Sequence, residues 1–181
     1  MARHNTPTAG IDLPLPALAA IRRELTAALG TDAAARTLQA AGNAAGDAFH
    51  DLLAGAHDAP LAGLGEAEFW RRLGDFFAER GWGRLQHEAA HPGVGALESA
   101  DWAEADTVGA ARRPSCHFTT GLLANLLGRV AGESVSVLEV ECRARGDLRC
   151  RFLFGGPAAL DVVYGSVAEG ASADRALEEL Q

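Results

Sequence analysis

The chain has 181 residues, 16 basic against 24 acidic, and a formal charge of −8. That length fills one core and is short for two, and 48% apolar with 22% charged residues is the balance of an ordinary globular protein. The acidity, with no basic stripe, excludes a nucleic-acid surface, whose affinity comes mainly from neutralising phosphates.

No apolar run reaches membrane-spanning length, and the N-terminus lacks the order of a signal peptide. The expectation is a soluble cytoplasmic protein with no membrane contact. Met1 to Pro16 holds prolines and polar residues without periodicity, so residues 1–16 read as a flexible arm and 17–181 as a single domain. A first helix follows, with Leu18, Ile21, Leu25 and Leu29 on one face and Gly30 at its end. Asp32 is placed to cap a second, longer helix, in which Ala35, Leu38, Gly42, Ala45, Phe49 and Leu52 form the apolar face. Gly42 and Gly46 lie one turn apart inside it. Each costs about 1 kcal/mol relative to alanine, which calls either for close approach by a helix or ligand, or for loose, alanine-rich packing.

Glu66 to Arg80 reads as a third helix with Phe69, Leu73, Phe76 and Phe77 inward, closed by Gly81. Short alternating pieces around Arg84 to Glu88 and Val94 to Glu98 predict antiparallel strands, broken by His91-Pro92-Gly93. Thr119 or Thr120 can cap a helix carrying Leu122, Leu123, Leu126, Leu127 and Val130, with Gly132 at its end. Val135 to Val140 and Cys150 to Phe154 then form the arms of a hairpin around Gly146-Asp147. Helices from Pro157 to Ala168 and Ser172 to Leu180 complete the chain. The order predicts an α+β fold, helices packed on a small antiparallel sheet.

Three cysteines is an odd count for a disulfide framework, and clustered thiols in a reducing compartment more often bind metal or do redox chemistry. Cys116 precedes the Thr119 helix, while Cys142 and Cys150 flank the hairpin loop. Zinc takes four donors, so a fourth ligand is needed, and Glu139, Glu141 and His117 are the nearest candidates. A regular strand puts both glutamates on the face opposite Cys142, an objection that a bulge near Val140 would remove. The alternative is three small buried hydrophobes.

The stretches CHFTTGLLANLLG from Cys116 and EVECRARGDLRCRF from Glu139 resemble the 4-vinyl reductase domain family, which includes sensory domains of aromatic-responsive bacterial transcription activators. LQAAGNAAGDAF from Leu38 resembles that family's helix with paired glycines, so the likeness covers most of the chain. It implies a structural zinc held by Cys116, Glu139, Cys142 and Cys150, which selects Glu139. It also implies the fold of nitric-oxide-signalling and Golgi-transport ligand-binding domains, an α+β body with an apolar cavity, often a homodimer.

Aromatic material for such a cavity is present in Phe49, Phe69, Trp70, Phe76, Trp82, Trp102 and Phe118. Trp102, in SADWAEAD from Ser99, is the candidate ligand contact, because related sensors carry a similar segment into the pocket and an indole N–H can orient a polar group. None of His50, His87, His91 and His117 has a partner at a catalytic spacing, and no phosphate loop, dinucleotide fingerprint, G-x-S-x-G or H-E-x-x-H is present. The expectation is a zinc-stabilised sensor of a small apolar or aromatic ligand. With no room after Leu180 for an output domain, it would signal through a separate partner. The alternatives are an accessory or carrier protein in tetrapyrrole metabolism and a cysteine redox switch.

Overall fold

A computed structural model describes residues 13–56, 61–105 and 111–180. Most of the expected arm, residues 1–12, lies outside them. Helix α1, Leu15–Leu29, starts with Pro16 in its first turn, where a missing N–H costs nothing, and stops at Gly30 with φ +78°. Helix α2, Thr31–Gly55, begins directly afterwards with Gly30 in the cap position. Asp32 therefore lies within the first turn rather than capping it, where its charge complements the helix dipole.

The paired glycines of α2 have a definite purpose. They face α4, His117–Ala131, and a Cβ on Gly42 would collide with the Phe118 carbonyl oxygen. One on Gly121 of α4 would collide with the Gln39 carbonyl oxygen, and one on Gly46 would stand 2.5 Å from the Asn125 side chain. Backbone touches backbone at this crossing, which only glycine permits and which offsets its poor helix propensity.

Four antiparallel strands, β1 Gln86–His91, β2 Val94–Ser99, β3 Ser136–Glu141 and β4 Cys150–Gly155, form one sheet in the order β1-β2-β4-β3. Strand alternation divides its faces. Leu97 and Phe152 join Leu53 of α2, Leu73 and Phe77 of α3 (Glu66–Glu79), and Leu122, Leu123 and Leu126 of α4 in the larger core. On the other face Val94, Ala96, Val140 and Leu153 pack against Leu160 and Val163 of α5 (Pro157–Ala168) and Ala176 and Leu177 of α6 (Ala173–Glu178). Each fully buried leucine or phenylalanine contributes about 1.5–3 kcal/mol. The fold is thus α+β, as the element order predicts.

Two further local expectations change. Helix α4 begins two residues before Thr119, with Cys116 in the cap position, so Thr119 and Thr120 lie inside its first turn. The apolar face of α1 buries nothing fully, and Ile21 and Leu29 are 44% and 50% exposed.

Candidate metal centre

The β3–β4 pairing is regular up to Glu139, opposite Phe152, and then slips, so that Glu141 stands opposite Arg151. Val140 is the extra residue of this bulge. A regular strand would turn Glu139 and Glu141 to one face and Cys142 to the other. The slip instead lets Glu139 and Cys142 share the inner face and sends Glu141 outward, where it pairs with Arg149 at 3.1 Å.

The inner face of this corner gathers Cys116, Glu139, Cys142 and Cys150, all buried, with donor atoms within 4.8 Å of one another. Cys116 Sγ lies 3.9 Å from both Cys142 Sγ and Cys150 Sγ, and none of the thiols is in a disulfide. Glu139 Oε2 accepts from the Cys116 N–H at 2.8 Å, whereas Oε1 is buried without any hydrogen-bond partner. A carboxylate oxygen left bare beside three thiols is costly unless a cation takes its lone pair. The arrangement could hold a metal ion. His117, at the start of α4, is not part of this group.

Electrostatics point the same way. Burial pushes the Cys116 thiol well above its usual range, and the neighbouring cysteines add to the shift. Burial and then the charge of Cys142 raise Glu139 to about 9. Cys142 goes down instead, because Cys116 and then Cys150 donate hydrogen bonds to its thiolate. Four acids this close cannot all ionise in the absence of a cation. The loop supports the geometry: Asp147 Oδ2 accepts from the Cys142 N–H at 2.7 Å, and Gly146 turns the chain at φ +102°.

The sequence did not reveal how α4 is capped. Cys116 occupies the cap position but makes no side-chain cap bond. Glu104, from the segment after β2, does so from outside. Its Oε1 accepts from Phe118 N at 2.9 Å, and its Oε2 from Thr119 N at 2.8 Å and Thr119 Oγ1 at 2.5 Å. Burial raises this carboxyl to about 7, against the opposing pull of those hydrogen bonds. Arg22 of α1 donates to the Glu104 carbonyl at 3.1 Å.

Trp102 is fully buried, and its Nε1–H donates to Thr119 Oγ1 at 2.8 Å. Its ring meets Phe77, Trp82 and Phe152 at centroid distances of 5.4, 5.8 and 6.0 Å. Trp82 in turn stacks on Phe118, and Phe49 on Phe77. All seven aromatic residues singled out from the sequence belong to or pack against this core; Phe49, Phe76, Trp82, Trp102 and Phe118 form a layer with Phe77, while Phe69 meets Trp70, which stacks on His87, 4.1 Å away. His50 lies against Asp51, and His91 against the Pro92 carbonyl.

An α+β body of this kind is shared with a known sensory domain. The phenol-responsive sensory domain of the transcription activator PoxR, solved with phenol, superposes with a TM-score of 0.70 at 22% identity, covering 88% of this chain and 82% of that one. The chain carries a match to the 4-vinyl reductase domain model over residues 97–155, from β2 to the end of β4, which spans Cys116, Glu139, Cys142 and Cys150. A vinyl-4-reductase family protein from Methanocaldococcus jannaschii is a remoter neighbour, 18% identical over 56% of this chain and 70% of that one, with a TM-score of 0.39. No curated protein matches the chain. Among the described residues no helix is long and apolar enough to cross a membrane.

Proposed function

We propose that this protein is a small-molecule sensor whose fold is stapled by one structural zinc ion. The partnerless Glu139 Oε1 facing three thiols is the observation that carries the metal half of this reading. Three thiolates and a carboxylate complete the tetrahedron zinc prefers, and a site closed by protein donors has no open position for catalytic water. Zinc bound there would supply charge neutralisation and a cross-link. Cys116 holds the start of α4, while Glu139, Cys142 and Cys150 hold the two arms of the hairpin.

The likeness to a phenol-responsive sensory domain, together with the aromatic layer beside the metal corner, supports a small apolar or aromatic ligand. Trp102 is the proposed contact. Its N–H is taken by Thr119, so a polar group on the ligand would have to exchange with that hydroxyl. In this reading the protein acts in the cytoplasm as a homodimer and passes its signal to a separate partner. A redox switch is less well supported, because all three thiols are shielded from solvent.

Calorimetry of the zinc-loaded protein against phenol, larger aromatic compounds, aliphatic alcohols and a tetrapyrrole tests the ligand half. Saturable binding of a small aromatic, weakened in Trp102→Phe, is expected. Binding of the tetrapyrrole alone would turn the reading towards a carrier.

A further inference from the structure

Helix α4 uses its cap residue for another purpose. A residue in that position ordinarily lends its side chain to the free N–H groups of the first turn, but the Cys116 thiol faces the cluster of donors instead. The work falls to Glu104, which is 5% exposed and spends both oxygens on the amides of Phe118 and Thr119 and on the Thr119 hydroxyl. That hydroxyl accepts from Trp102 as it donates to Glu104. One continuous chain of hydrogen bonds therefore runs from the aromatic layer to the first turn of α4, directly behind a residue of the metal corner. Glu104 and Trp102 also lie on the same short segment after β2.

We infer that Glu104 is a positioning residue, which caps α4 in place of Cys116 and, through Thr119, ties the position of Trp102 to the state of the metal corner. The inference rests on the zinc reading above. It gives the sensor a physical link between its two halves: occupancy among the aromatic rings alters the hold on the helix start that presents Cys116, and metal loading alters the setting of the indole.

The test uses the full chain labelled with 5-fluorotryptophan. Fluorine NMR resolves the three tryptophans, Trp102→Phe assigns the resonance, and zinc is added to metal-stripped protein while stoichiometry is read by mass spectrometry. Zinc is expected to shift the Trp102 resonance of the parent protein. Thr119→Val, which keeps the shape and removes the hydroxyl, should bind zinc at the same stoichiometry with that shift largely abolished, and Thr119→Ser should restore it. Glu104→Gln should release zinc to a chelator about tenfold faster, the usual effect of losing an outer support of a metal site. A full shift in Thr119→Val, or parental zinc release in Glu104→Gln, overturns the inference while leaving the zinc reading intact. If Glu104→Gln does not fold, the Thr119 pair decides. A parent protein that takes up no zinc defeats the zinc reading itself, and the inference with it.

Discussion

The metal corner and the aromatic layer both lean on α4, yet they are held together by opposite means. At the corner, four acidic side chains crowd within 4.8 Å, and one carboxylate oxygen has no partner at all. In the layer, Phe49, Phe76, Phe77, Trp82, Trp102 and Phe118 contact one another through ring faces and edges, and the one buried indole N–H is satisfied. In the proposed reading the corner would owe its stability to an ion and so to solution conditions. The layer owes its stability to shape rather than to charge neutralisation.

The largest effect is expected at the corner. A structural zinc site contributes on the order of 10 kcal/mol of apparent binding energy, so Cys142→Ala or Cys150→Ala should lower the melting temperature severely, to about that of the chelator-treated parent. A mutant that melts like the zinc-loaded parent would reduce the thiols to core packing.

Shape is tested at the glycine crossing. Gly42→Ala gains about 1 kcal/mol of helix propensity but drives a methyl group into the Phe118 backbone, and a net loss of about 2–3 kcal/mol is expected from its urea midpoint, with or without chelator. A stabilised variant would mean that the helices can separate freely.

Between the two glutamates, Glu139→Ala should weaken zinc retention far more than Glu141→Ala, since Glu141 faces the arginines of the opposite face. Equal retention in a competition assay would remove Glu139 from the coordination set.

A pH scan of metal-stripped protein separates the cap from the corner. The folded Glu104 carboxyl titrates near 7, above its ordinary 4.5, so the folded state holds its proton more tightly than the unfolded chain does. Its contribution is fully present below pH 4.5 and is lost as pH rises through 7. Glu104→Gln should flatten that fall by about 3 kcal/mol, and an unchanged slope would show that the carboxyl does not titrate there.

The smallest effect belongs to Trp102→Phe, which keeps the ring and removes one hydrogen bond. A loss of about 0.5–1.5 kcal/mol with unchanged zinc content is expected from paired melting and elemental analysis. A drop in zinc content would place the indole within the metal corner rather than beside it.

Much of the fold was legible because its signals are local. The spacing of Gly42 and Gly46 is that of a close approach or of loose packing, and only the structure decides for the approach and identifies α4 as the partner. The three cysteines announced the corner, but counting alone left Glu139, Glu141 and His117 open. What brings Glu139 and Cys142 to one face is a one-residue slip at Val140, a property of the β3–β4 pairing rather than of either strand. Glu104 was missed for a similar reason. Its partners lie 14 and 15 residues further along the chain and are backbone amides, which carry no mark in the sequence. For α1 the apolar periodicity was sound, but periodicity describes a face and not what covers it, and Ile21 and Leu29 are left half exposed.

Native mass spectrometry of the full chain, purified without chelators, tests the central claim most directly. One zinc ion per chain is predicted, lost together with folded charge states when Cys116, Cys142 or Cys150 is replaced. A folded, metal-free chain whose three thiols are all present and which takes up no zinc when it is supplied would contradict the account.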